Sequence, residues 1–178
     1  AGWLFLIPVG ADEAWLLGVG RQIEALLAQS RHVAPRIAPK DVPPAAFDSC
    51  PRMLPSLCGA DWLACGTAAI AFDPICGDGT AQAVREAILA AAVIGAMREG
   101  GEAGALLTHY ESMLVAAMRR HLALSAQFYR SGGRGGWWRT ELAALMDGHD
   151  WCTAKLGTMP EPRYVLQGFR LVDREKVA

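Results

Sequence analysis

At 178 residues and 52% hydrophobic, the sequence is long and apolar enough to bury a sizeable core, as one domain or as the larger part of one. Its 17 basic and 18 acidic side chains balance, which excludes the electrostatic footprint of a nucleic-acid binder or of a protein drawn to an anionic membrane. The longest apolar run, Ala87 to Met97, is too short to span a bilayer and is flanked by Arg85, Glu86, Arg98 and Glu99, the pattern of a buried helix.

The chain opens with Ala1-Gly2-Trp3 and enters an apolar segment at once, with no methionine and no polar lead-in, which reads as a fragment or as one product of a split reading frame. Gly2 to Val9 and Ala14 to Val19 are apolar, aromatic-bearing runs joined by the turn-like Gly10 to Glu13, so a β-hairpin is expected. Ile23, Leu26 and Leu27 recur at helical spacing and predict a short amphipathic helix over Arg21 to Gln29. From Arg31 to Ala60 the prolines at 35, 39, 43, 44, 51 and 55 forbid continuous helix and predict an irregular connection.

Trp62 to Cys65 reads as a short buried strand that runs into Gly66 and a loop. A helix is expected from Thr80 to about Glu99, stopped by Gly100-Gly101; its many alanines suit a central helix packed closely on a sheet. A longer helix follows from about Glu102 to Tyr129, with Leu106, Tyr110, Leu114, Met118 and Leu122 on its apolar face, and the glycines of Gly132 to Gly136 break it. Two shorter helices, Trp138 to Met146 and Asp150 to Leu156, and a closing strand, Tyr164 to Val172, complete the prediction. The expected fold class is α/β with α+β character, in three parts: residues 1–60, 61–101 and 102–178.

The stretch that carries chemistry runs from Cys65 to Thr80. A strand ends at Gly66, small residues follow, Asp73-Pro74 makes a fixed turn, and Gly77-Asp78-Gly79 opens a long helix. Glycines at a helix start let unpaired backbone N–H groups approach a ligand, and the helix dipole there favours negative charge. Any αβ protein can carry glycines before a helix, and Gly-x-Gly alone is weak. The combination of Gly66, Ala68-Ala69, Asp73-Pro74, Gly77-x-Gly79 and an Ala-rich helix resembles the second FAD-binding motif of the p-hydroxybenzoate hydroxylase superfamily, written Gly-Asp-Ala-Ala, Asp-Pro, Gly-x-Gly.

That resemblance implies a substrate-side sheet in residues 1–60, a strand, flavin loop and helix of an incomplete FAD-binding domain in 61–101, and a helical C-terminal cap in 102–178. It further implies that Gly77, Asp78 and Gly79 meet the isoalloxazine, that Gly66 and Thr67 meet the ribityl chain, that Thr80 and Asp73 also bind the cofactor, and that Asp73 and Pro74 shape the catalytic pocket. The family's aspartate after the first glycine is Thr67 here; its hydroxyl either bonds a sugar-like hydroxyl or only packs. The N-terminal Gly-x-Gly-x-x-Gly that holds the FAD pyrophosphate is not in this sequence, so the chain alone is expected to bind FAD weakly or not at all.

Two further stretches point the same way. Gly2-Trp3-Leu4-Phe5-Leu6-Ile7-Pro8 is similar to the Gly-Trp-x-Trp-x-Ile-Pro signature of flavin-dependent halogenases, with Phe5 at the second tryptophan; the resemblance implies that Trp3 and Phe5 line the substrate pocket. The helix ending Gln127-Phe128-Tyr129-Arg130, then a glycine-rich break and Trp137-Trp138-Arg139, is like the helical region that caps that pocket, although adjacent tryptophans equally suit a lid, a partner surface or core. Most similar are flavoprotein monooxygenases that hydroxylate a peptidyl tryptophan during quinone-cofactor assembly. The reaction implied is O2 activation at reduced FAD to hydroxylate an aromatic, tryptophan-like substrate, small or peptidyl. The implied partners are a tryptophan-bearing peptide or protein, an upstream FAD-binding part and a flavin reductase. A halogenase fragment and a non-catalytic binding or assembly module are the alternatives.

Other residues read more plainly. His32, His109, His121 and His149 lie in separate elements, and solvent-facing or core roles suit them better than ligation. No His, Cys, Asp or Glu grouping has metal-ligand spacing. Five cysteines without Cys-x-x-Cys spacing favour neither a disulfide framework nor a zinc site, Cys76 reads as a small buried hydrophobe, and a cytoplasmic protein is the default expectation.

Overall fold

The structure is a computed structural model that describes residues 2–40 and 44–176; Ala1 and the proline at 43 lie outside the described residues. It is mixed α and β, about 51% helical, with small antiparallel sheets. Among the described residues each sheet has two strands, so the parallel sheet of an α/β protein is not formed.

The N-terminal hairpin forms from the two apolar runs joined by the Gly10 to Glu13 turn. Strand β1 (Trp3–Pro8) pairs antiparallel with β2 (Ala14–Val19), in a register running from Trp3 opposite Val19 to Pro8 opposite Ala14. Helix α1 (Ile23–Leu27) packs on the ribbon, and Gly18 makes room for it: a Cβ there would meet Ile23 and Leu26 side chains at 3.0 and 3.3 Å. On the other face Phe5, Ile7 and Trp15 stay exposed.

Among its described residues the Pro-rich connection is irregular, apart from a 3-10 turn at Ala34–Arg36 and the two-residue β3 (Arg52–Met53), which pairs with β4 (Ile70–Ala71). The strand expected over Trp62 to Cys65 is not formed. Leu63 makes a single bridge to Cys58, while the Gly59 N–H donates to the Trp62 carbonyl at 2.9 Å and the Trp62 indole lies over Gly59. Trp62 covers its own turn, while Leu63 and Ala64 pack against the main core without joining a sheet.

Three long helices form the body: α2 (Gly79–Arg98), α3 (Ala103–Gly132) and α4 (Gly136–Gly157). Helix α3 begins at Glu102, whose carboxylate accepts from the Ala105 N–H at 3.0 Å. It lies at the centre of the core, burying Leu106, Tyr110, Leu114, Val115, Ala126 and Tyr129 between α2 and α4.

Two expectations are corrected here. The two short helices after the glycine break are one continuous helix: Gly148 does not interrupt α4 but lets it close on α3, since a Cβ there would meet the Leu122 Cδ1 at 3.2 Å. The closing strand is a hairpin, β5 (Tyr164–Gln167) against β6 (Arg170–Asp173), turned through Gly168 at φ 61°.

Helix α2 does not sit on a larger sheet. It packs on α3, on the turn at Gly66–Ala68 and on β6. It buries Gln82, Glu86, Leu89, Ala90 and Val93, yet Val84, Ala87, Ala91 and Ile94 on its outer side are exposed. A helix that is apolar on all sides is one built for burial on all sides. At 20 residues with a mean hydropathy of 1.3, α2 also has the length and composition to cross a membrane, which the 11-residue run had not suggested.

The glycine-rich break between α3 and α4 is a seat for an indole. A Cβ on Gly132 would lie 2.3 Å from the Trp138 ring, and one on Gly133 would lie 2.5 Å from its Nε1. Gly132→Ala is therefore expected to push Trp138 out and destabilise the chain by about 1–3 kcal/mol. Urea denaturation checks the cost, and a shift in tryptophan emission checks the displacement.

Candidate functional site

The Asp73 turn is built from its own residues. Asp73 caps the 3-10 turn Pro74–Cys76, its Oδ1 accepting the Ile75 N–H at 2.9 Å, and Gly77 ends it at φ 63°. That left-handed geometry favours glycine at 77. The chain then enters α2 at Asp78, whose side chain makes no cap bond and pairs instead with Arg85 at 3.2 Å. The first amides of α2 are thus left without a side-chain cap. Gly77, Gly79 and Thr80 are exposed, and a Cβ added to either glycine would meet nothing within 4 Å.

Asp73 itself is buried and is bonded to Tyr129, on which the other segments meet. Its Oδ2 accepts the Tyr129 hydroxyl at 2.8 Å, and the Tyr129 oxygen accepts the Trp3 Nε1–H at 3.2 Å. Tyr129 also packs against Trp137 and Trp138, with ring centroids 5.8 and 5.6 Å away, and those two indoles meet edge to face at 4.8 Å. Burial pushes the Asp73 carboxyl above its ordinary range, against the lowering effect of the Ile75 N–H and the Tyr129 hydroxyl. Burial likewise raises the Tyr129 hydroxyl, and Glu141 is raised by burial and by the nearby Asp73.

On the other side of the turn lies His121 of α3. The Asp73 N–H donates to its Nε2 at 2.7 Å, and Phe72 stacks flat on the imidazole at 3.9 Å. A backbone amide can only donate, so Nε2 is the bare nitrogen and Nδ1 carries the proton. Burial holds this ring neutral, with its pKa pushed down to about 4. The Ser125 hydroxyl lies 3.3 Å from the same Nε2 and 3.3 Å from the Cys76 sulfur. Burial raises the Cys76 thiol, so it stays protonated and is a poor nucleophile.

Phe72, Cys76, Asp78, Gln82, Arg85, Ala117, Arg120, His121 and Leu124 line an open groove of about 350 Å³ between the start of α2 and the middle of α3. It lies beside the Gly77–Gly79 turn.

The structure thus gathers Trp3, Asp73, Trp137 and Trp138 into one cluster. Phe5 is not part of it; although it shares the face of β1 with Trp3, the residue is 42% exposed. Gly66 and Thr67 belong to a separate contact. The Gly66 N–H donates to Glu86 Oε2 at 2.7 Å and is therefore already engaged, whereas Thr67 is exposed. Glu86 is itself buried, bonded also to Gln82 at 3.0 Å, and burial raises its carboxyl. Tyr110 completes this anchor by donating to the Ala64 carbonyl at 2.6 Å.

Sequence reasoning passed over Tyr129 as a hub and over Ser125 and Glu86; His121, expected in a solvent-facing or core role, is a bonded core residue. The available signal was polar residues on otherwise buried helix faces: His121, Ser125 and Tyr129 lie at four-residue spacing on α3. His109, expected to be exposed or satisfied, is buried with both ring nitrogens unpartnered among the described residues, and it meets Tyr164 edge-on. Comparison of the chain with family models, curated proteins and solved structures gives no match.

Proposed function

We propose that this chain is the C-terminal portion of a FAD-dependent oxidoreductase of the p-hydroxybenzoate hydroxylase superfamily, which activates O2 at reduced flavin to hydroxylate an aromatic, tryptophan-like substrate, small or peptidyl. The observation that carries this reading is the meeting, at Tyr129, of the three segments on which the resemblance rests: Trp3, the Asp73–Gly79 turn, and Trp137-Trp138. Trp3 lies 126 residues and Asp73 lies 56 residues from Tyr129, and composition alone gives no reason for them to converge.

The residues present fit the ring end of the cofactor better than the rest of it. The turn at Gly77–Gly79 leaves the first amides of α2 free to face a negatively charged edge, and the adjoining groove is at the small end of ligand pockets. The Gly66 amide is taken by Glu86, so of the two residues assigned to the ribityl chain only Thr67 is free to serve it. When bound, FAD supplies the oxygen chemistry. Asp73 would hold the turn in register, and the indoles of Trp3, Trp137 and Trp138 would exclude water from an aromatic substrate. The exposed apolar side of α2, at Val84, Ala87, Ala91 and Ile94, suits cover by a separate FAD-binding part.

The occupied Gly66 amide favours a second reading, a non-catalytic assembly module. Co-purification of the chain with the polypeptide encoded upstream separates the two. The flavoenzyme reading expects a yellow complex with stoichiometric FAD that consumes O2 with a reductant and modifies a tryptophan-bearing peptide, and expects weak FAD uptake by the chain alone. A colourless complex that consumes no O2 would sink it.

A further inference from the structure

His109 is a buried polar side chain that neither the Asp73 cluster nor the flavin turn uses. It lies near the start of α3, 4% exposed, and both of its ring nitrogens are sealed from solvent without a hydrogen-bond partner among the described residues. A buried polar group without a partner costs stability, so a leucine would serve this core position better than an imidazole. What histidine has and leucine lacks is a proton that comes and goes near neutral pH.

The groups seated on the ring come from the C-terminal hairpin. Tyr164, the first residue of β5, meets the imidazole edge-on with ring centroids 5.6 Å apart. Arg174, directly after β6, is the charge whose field reaches the ring, and it opposes a second positive charge there. Other charges on the neighbouring elements are paired: Arg163 with Asp173 across the base of the hairpin at 2.8 Å, and Glu111 with Lys155 of α4 at 2.6 Å. No charge on α2 or α4 adds to the effect of Arg174. Burial first, and Arg174 second, hold the imidazole below its ordinary value of 6.5.

The hairpin itself is lightly held. No residue of β5 or β6 is fully buried, and Tyr164 and Leu171 are the hydrophobic side chains it sets against the main core. An element with so little buried apolar surface opens at a lower free energy than the helices beneath it.

From this we propose that His109 is the acid trigger of a latch: the β5–β6 hairpin closes over the neutral imidazole and lifts away when the ring takes a proton. Lifting gives water to both N–H groups of the charged ring and takes Arg174 away from it. It also uncovers the surfaces of α2 and α3 that β6 and Tyr164 cover. Between the lowered value of the closed form and 6.5, the open form binds the proton and the closed form does not. Closure is therefore complete above pH 6.5 and is lost as the pH falls below it. The latch uses no flavin and stands apart from the flavoenzyme reading.

The test is amide hydrogen exchange on the full chain, followed by NMR as the pH is lowered from about 7 to about 5. Val165 and Val172 face each other in the hairpin. After correction for intrinsic rates, their protection should fall by up to about tenfold per pH unit below 6.5. Leu114 and Val115, buried in α3, should keep the greater protection set by global unfolding. His109→Leu and His109→Gln cannot titrate, so the hairpin protection of either should stay constant with pH. His121→Gln should keep the response of the parent, which separates the latch from acid unfolding of the whole chain. Three results would each overturn the assignment: protection in the parent that ignores pH; the same fall in a folded His109 variant; or hairpin and α3 amides losing protection together, which would mean that the chain unfolds as one.

Discussion

Replacing Tyr129 by alanine is expected to lower the unfolding free energy by about 3–5 kcal/mol, and replacing it by phenylalanine by about 1–3 kcal/mol. The alanine variant removes a ring that is 2% exposed and packed on two indoles, leaving a cavity where the end of α3 meets the start of α4. The phenylalanine variant keeps the ring but strips a hydrogen bond from the buried Asp73 carboxylate and leaves the Trp3 indole N–H without its acceptor. With one of its two bonds gone, Asp73 should titrate at a still higher pH, which carboxyl-resolved NMR can follow. Urea midpoints measure the two costs. An alanine variant within about 1 kcal/mol of the parent would show that Tyr129 is not the joint of the site.

The second large effect is on acid stability. His121 has a folded pKa of about 4 against an ordinary value of 6.5. Between those values the unfolded chain binds the proton and the folded chain does not. The stability tied to neutral His121 is therefore complete above pH 6.5 and is lost as the pH falls toward 4, by about 3 kcal/mol in all. A proton on Nε2 would also set donor against donor at the Asp73 amide. Opposing groups surround it: Asp78 favours the charged ring, and the raised carboxyls of Asp73, Glu86 and Glu141 make the folded state gain protons as the pH falls. The comparison must therefore be made against His121→Gln, which does not titrate. The stability difference between parent and variant should shrink by about 3 kcal/mol between pH 7 and pH 4; a constant difference would mean that His121 is not held neutral by the fold.

The elements whose signal is local were legible in the sequence. The Trp3–Pro8 and Ala14–Val19 strands are apolar runs joined by a turn-like sequence, and α2 runs between a glycine-marked start and a glycine-marked stop, so their bounds match to within a residue or two. Errors arose where a residue's role depends on a distant neighbour. Gly148 resembles a helix break until Leu122 of α3 is seen against it. Trp62 to Cys65 has strand composition but lacks a partner strand, and β5 and β6 merge into one run unless the left-handed Gly168 is known. In the site, the Asp73–Pro74 turn was legible because its cap is built from adjacent residues. Tyr129, His121 and Glu86 were not, because their bonds reach 56, 48 and 20 residues away.

One consequence follows from the way Trp3 is held. Among the described residues it is the one hydrophobic side chain of the first 40 that packs against the main core, while Leu26 and Gly18 knit the hairpin and α1 to each other. Among the described hydrophobic side chains, the N-terminal unit is thus hung on the helical body by a single indole, which makes one hydrogen bond there. Whatever lies between that unit and the Asp73 turn has its width set at a single pivot, and the pivot is the tyrosine hydroxyl at the far end of α3.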